Sequence, residues 1–156
     1  MDLSGLHVLR AFRARRDRKA RELSRHPLFA RVPLVQLGRA ASLVDVVRVS
    51  AGTTLARQGL RPVEPFVIKA GWARVELDGV GVSFVDRHQT VGLSAWVDRV
   101  CFGATVVAAS PMELYVVQPS SVRTFLELVP SALAPEWSDF APRAVQPRWA
   151  PQGLPQ

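Results

Sequence analysis

A chain of 156 residues, 48% of them hydrophobic, fits one globular domain with a core of its own. The longest central stretch without a formal charge, Val100 to Met112, is too short and too rich in Gly, Ala, Ser and Pro to span a bilayer. The N-terminal arginines follow the first apolar stretch instead of preceding it, which argues against a secretory signal, and the single cysteine, Cys101, excludes an internal disulfide and a cysteine-based zinc site. The expected compartment is the cytoplasm.

The net charge of +7 is unevenly placed. Arg10, Arg13, Arg15, Arg16, Arg18, Lys19, Arg21 and Arg25 face only Asp17 and Glu22 within residues 10–25, a local excess of +6. Asp2 lowers the first 25 residues to +5, so the remaining 131 carry +2. A nearly neutral body therefore follows a basic leader. Residues 4–25 are predicted to be helical, with Ser4 as N-cap and Leu6, Leu9 and Phe12 as a short apolar stripe. His26-Pro27 ends the helix, because a residue before proline is driven out of the helical region. Two readings of this segment stay open. It is a solvated helix whose apolar edge rests on the body, or a docking arm for an acidic protein, nucleic acid or an acidic membrane surface. Phe12 alone interleaves the arginines, which gives little support to stacking on single strands.

Leu28-Phe29 anchors a turn, and Pro33 suits the first turn of a second helix carrying Leu34, Leu37, Ala41 and Val44 at helical spacing. The period changes at Asp45. Short β segments follow at Val46–Val49, Thr53–Arg57, Phe66–Ile68 and Trp72–Leu77, with Ala51-Gly52, Gly59 and Ala70-Gly71 as stops. Asp78-Gly79 is a hairpin signal, and Val80–Val85 returns from it. Ala104–Ala108 and Met112–Val117 are joined at Ser110-Pro111. Between them, Val91-Gly92-Leu93-Ser94-Ala95 reads as a small-residue helix start, whose free N–H groups suit an anion. Pro119 opens a last helix with Val122, Phe125, Leu126 and Val129 on one face, limited by Pro130. About eight short strands without helical crossovers predict a mainly β fold with flanking helices, an antiparallel eight-stranded roll or jelly roll. Three segments result: a basic helix over 1–25, the roll with its closing helix over 26–134, and a proline-rich tail over 135–156. Trp137, Phe140 and Trp149 sit in that tail, and Trp137 at least is expected to lie back on the body or on a partner.

This order of elements resembles the cyclic nucleotide-binding domain of catabolite-activator-type regulators, protein kinase regulatory subunits and channel tails. The residues that carry the resemblance are Leu28-Phe29, Gly52, Gly59, the strand Phe66-Val67-Ile68-Lys69-Ala70-Gly71, and Ala104-Thr105-Val106, over about Leu23 to Leu133. The family's phosphate-binding cassette reads roughly Phe-Gly-Glu-x-Ala-Leu, then Arg-Ser/Thr-Ala. Here Val91-Gly92-Leu93-Ser94-Ala95-Trp96 and Phe102-Gly103-Ala104 stand in its place. The resemblance thus implies a ligand pocket at Gly92, Leu93, Ser94, Ala95, Phe102, Gly103 and Ala104. It also implies that Leu93 replaces the glutamate for the ribose hydroxyl and Phe102 the arginine for the cyclic phosphate. Gly103 replaces the hydroxyl residue, and His88 the glycine before the cassette.

A hydrogen bond to a charged group contributes about 1.5–3 kcal/mol. Without both ionic contacts the affinity falls by roughly two to four orders of magnitude. Arg99, three residues before Phe102, is the nearest substitute cation, and the loop would need slack to deliver it. No cofactor is expected, and ordinary cyclic AMP or cyclic GMP binding is not expected either.

His7, His26 and His88 are scattered, without acidic or cysteine partners at ligand spacing, and Cys101 between Val100 and Phe102 reads as a small core residue. No nucleophile elbow, Walker loop or carboxylate pair is present, and no enzyme is expected. The expected function is that of an interaction, accessory or regulatory subunit with a degenerate cassette. Its protein partner would present an acidic surface to Arg10, Arg13, Arg15, Arg16, Arg18, Lys19, Arg21 and Arg25. The alternatives are a small-molecule sensor with altered pocket contacts and nucleic-acid binding through the leader.

Overall fold

The computed structural model describes residues 3–62, 64–87 and 89–133. His88 and the proline-rich segment 135–156, with Trp137, Phe140 and Trp149, lie outside the described residues. The basic leader forms α1, Leu3–Ser24, and stops where Pro27 forbids a further turn. Helix α2, Leu34–Ala41, follows. Eight strands come next: β1 Val44–Val49, β2 Thr54–Ala56, β3 Phe66–Ala70, β4 Ala73–Leu77, β5 Val80–Val85, β6 Thr90–Val91, β7 Thr105–Ala108 and β8 Met112–Val117. The six-residue helix α3, Leu93–Asp98, interrupts them after β6. A 3₁₀ turn, Pro119–Ser121, leads into α4, Val122–Leu128, and a second, Pro130–Leu133, follows it.

The strands make two four-stranded sheets, β1-β8-β3-β6 and β2-β7-β4-β5, and every pairing is antiparallel. This is the expected roll. Strand periodicity explains its layering. On β3 and β8, Phe66, Ile68, Met112 and Leu114 point into the roll, where they meet Val75, Val85 and Val106 of the second sheet. Val67, Tyr115 and Val117, on the opposite face, meet Leu23 of α1, Leu37 of α2 and Phe125 of α4. Strands buried on both faces read as nearly unbroken apolar runs, as Phe66–Ile68 and Leu114–Val117 do. Glu113, just before the second run, is half-buried and paired. There it meets Lys69 at 3.1 Å and Arg48 at 3.0 Å.

His26 joins the helical layer to the sheet. Its Nδ1 accepts the Leu28 N–H at 3.2 Å, so Nε2 carries the hydrogen that reaches the Ile68 carbonyl at 2.7 Å. The ring is buried and lies tilted against Phe29, with centroids 5.1 Å apart, and Phe29 in turn meets Phe125 edge to face at 6.3 Å. Between the sheets, Gly71 (φ 86°) passes so close to β8 that a Cβ there would stand 2.5 Å from the Pro111 carbonyl oxygen. The Asp78-Gly79 turn has both φ values positive, 51° and 82°, the geometry that an Asp-Gly hairpin favours.

Four sequence expectations shift. Val44 is not the end of α2 but the first residue of β1, and Leu34 faces solvent, so the helical spacing of this stretch mixes two elements. The two residues of β6 pair with Val67 and Phe66 and add a strand too short to show periodicity. Phe12 does not rest on the body: it is 66% exposed, and α1 docks instead through Ala20 and Leu23. Cys101 is an exposed thiol, not a core residue, because it lies in the loop that leaves α3.

Candidate functional site

The cradle begins where β6 ends. Pairing of Thr90-Val91 with β3 delivers Gly92 to the rim of the roll, and Gly92 turns the chain with φ 88°. The Trp96 N–H then donates to the Gly92 carbonyl at 2.8 Å, which closes the first turn of α3. The helix stops at Arg99, a non-glycine residue in the left-handed region (φ 56°), and the Val100 N–H returns to the Ala95 carbonyl at 3.0 Å.

Phe102 is fixed by its backbone. Its N–H donates to the Leu60 carbonyl and its carbonyl accepts from the Gly59 N–H, each at 2.9 Å. These bonds lay the phenyl ring over Gly92. A Cβ on Gly92 would stand 3.4 Å from Cε1 and Cζ of Phe102 and 3.4 Å from Cβ of Pro62. Below the ring, the roll opens into a cavity of about 440 Å³ with apolar walls that include Leu55, Phe66 and Leu114. Arg57, Arg61 and Glu64 stand exposed around the same cavity.

The cassette residues named from sequence do not converge on one pocket. Leu93 is fully buried and belongs to the helical core, with Tyr115 and Phe125. Phe102 packs against the interior of the roll, and Ala104 is buried there beside Val106. Gly103 is exposed, and Ser94 lies within α3. Ala95 and Arg99 line a different cleft, between α3 and α4, so Arg99 does not stand on the cavity that Phe102 lines. Sequence reasoning missed Arg57, Arg61 and Glu64. They sit on the loop between β2 and β3, with no motif to mark them, and long-range contacts such as the backbone bonds to Phe102 bring that loop to the cradle.

The basic leader is presented along α1. Every residue from Arg10 to Arg18 is exposed, as are Arg21 and Arg25. Lys19 differs, because its ammonium donates to the Val44 carbonyl. Burial there holds its pKa below the usual lysine value, against an upward pull from Asp45 and Glu22. Phe12, Arg13, Arg15 and Arg16 share a shallow groove with Lys19 and Ser42. Among the described residues, no group of three His, Cys, Asp or Glu side chains could hold a metal ion, and no helix is long and apolar enough to cross a membrane.

Solved structures share this architecture. The regulatory subunit of a cAMP-independent protein kinase A from Trypanosoma cruzi, bound to guanosine, superposes with a TM-score of 0.70 at 17% identity, over 84% of this chain and 48% of that one. A variant of the corresponding Trypanosoma brucei subunit, whose three substitutions include a threonine replaced by arginine, is bound to cAMP. It gives a TM-score of 0.69 at 16% identity, over 83% of this chain and 52% of that one. A cAMP-binding acyltransferase from Mycobacterium smegmatis, in a mutant form, gives 0.63 at 24% identity, over 74% and 37%. The chain thus spans about half or less of the length of these structures, and at such identities they show the fold alone. No curated protein sequence matches it. The family model of the cyclic nucleotide-binding domain matches residues 46–128, from β1 to the end of α4. This chain belongs to the cyclic nucleotide-binding domain family.

Proposed function

We propose that this domain is a non-enzymatic regulatory or accessory subunit of the cytoplasm. Its cradle has given up ordinary cyclic phosphates, and it engages a protein partner through α1. The observation that carries the reading is the Phe102 ring packed over Gly92. A guanidinium at that position would fork onto a phosphate, whereas a phenyl ring supplies no donor and covers the backbone the anion needs. Leu93, sealed in the helical core, has no path to a ribose hydroxyl.

The partner contact follows from charge. Seven arginines between Arg10 and Arg25 are exposed, and no ion pair with a described residue engages them. Phe12 stands exposed among them, an apolar anchor beside guanidinium groups, which suits an acidic protein surface. Changing Arg13, Arg15, Arg16 and Arg18 to alanine tests this. Capture of a protein from the source-cell extract should be lost, while the circular dichroism of the roll stays unchanged. Equal capture by the variant overturns the role of α1, and capture that disappears with nuclease treatment reassigns it to nucleic acid.

A second reading rests on the apolar cavity beneath Phe102. It suits an uncharged ligand, such as a nucleoside, in a sensor with altered contacts, and guanosine in the T. cruzi relative lends support. Calorimetric titration with guanosine and adenosine separates this reading from an empty pocket.

A further inference from the structure

Beside the cradle lies a larger cleft, of about 670 Å³, between α3, α4 and the β2–β3 loop. Three guanidinium groups line it, from Arg61 of the loop, Arg99 at the end of α3 and Arg123 of α4, against a single carboxylate, Glu127. All three arginines are exposed, and none forms an ion pair with a described residue. Elsewhere on the roll, Arg48, Lys69 and Arg74 meet carboxylates at 2.5–3.1 Å. The uncompensated charge in the cleft is therefore +2, that of a phosphomonoester with its sign reversed.

The walls add a second requirement. Half-buried Trp96 and the exposed Val97 and Val100 make one side of the cleft aromatic and apolar. A bare ion would leave most of such a volume to water, whereas a flat ring could stack on the indole. Arg99 is aimed by its backbone. Its left-handed conformation, uncommon for a residue other than Gly, Asn or Asp, ends α3 and places Arg99 on this cleft, away from Phe102. We infer that the α3–α4 cleft is a binding site for a small phosphomonoester carrying a planar ring, held by Arg61, Arg99 and Arg123 and stacked on Trp96. It is distinct from the cavity that Phe102 lines, although Arg61 borders both and Ala95 and Pro62 join the cleft to the cradle.

The test uses the full chain and isothermal calorimetry with adenosine 5′-monophosphate, adenosine and inorganic phosphate. The monophosphate should bind with one site per chain and weaken as salt is raised, and each of the other two should bind at least about tenfold more weakly. Arg99→Asn removes the guanidinium while keeping a residue that tolerates the left-handed turn. Arg123→Gln does so on exposed helix surface and serves if the first variant fails to fold. Each should weaken the monophosphate about tenfold or more, with the melting temperature unchanged. The inference is overturned if the monophosphate shows no saturable binding up to about 5 mM. Binding that survives both variants but responds to Phe102→Ala would also overturn it, since the ligand would then sit in the cradle. That last result would leave the cleft empty and favour the sensor reading of the cradle.

Discussion

The helical layer and the interior of the roll are built from the same strands, yet they have absorbed the cassette in different ways. Leu93 has joined the helical core, among Tyr115, Leu37 and Phe125, and is wholly buried. Phe102 has joined the rim of the roll core, half-buried, with its ring over Gly92. The two positions where relatives of this family are expected to hold a ligand thus became packing positions, one irreversible and one shallow. A buried position cannot regain a charged side chain without unfolding its surroundings, whereas a rim position can.

Substitutions at the two positions should therefore diverge. Leu93→Glu places a carboxylate in the helical core without a partner and should cost about 3–5 kcal/mol, measured by urea denaturation. A loss below about 1 kcal/mol would show that Leu93 can turn outward and would dissolve the contrast. His26→Phe keeps the ring contact with Phe29 but removes the bonds to Leu28 and Ile68. It should cost about 2 kcal/mol in the same measurement, and hydrogen exchange should rise in α1 more than in β4 and β5.

The smallest effect belongs to the surface. The Lys69 hydrogen bond and charge, with a smaller contribution from Arg48, hold the Glu113 carboxyl below its ordinary pKa of 4.5. A depressed folded pKa stabilises the protein above about pH 4.5 and loses that contribution as the pH falls through the folded value. Glu113→Gln should therefore lower stability at pH 7 by at most about 1 kcal/mol and flatten its decline in acid. An unchanged acid slope would mean that the pair contributes nothing.

Much of the fold was legible because its signals are local. Asp78-Gly79, the alternation of Trp72–Leu77 and the run Met112–Val117 each determine an element from neighbouring residues, and Pro27 fixes the end of α1 within a residue or two. The rest depends on contacts that no short window carries. Thr90-Val91 is a strand only because β3 lies beside it. Leu6, Leu9 and Phe12 suggested an edge resting on the body, yet Phe12 faces solvent and the docking falls on Ala20 and Leu23, where the arginine-rich pattern hides two apolar residues. At the site, the replacement of charged residues by Leu93 and Phe102 could be read from the order of the chain. Their separation into two cores could not, because side-chain direction on a six-residue helix follows from packing. The meeting of Arg61, Arg99 and Arg123 was equally hidden, since three distant segments supply them.

The contrast is tested most directly by titrating cyclic AMP into the wild-type chain and into Phe102→Arg by isothermal calorimetry. The rim position should accept arginine at a cost of no more than about 2 kcal/mol, and the variant should bind cyclic AMP at least about tenfold more tightly than the wild type. A wild-type dissociation constant below about 10 μM, equivalent to about −7 kcal/mol, would contradict the account, because the cradle would then grip a cyclic phosphate without the guanidinium that Phe102 replaces.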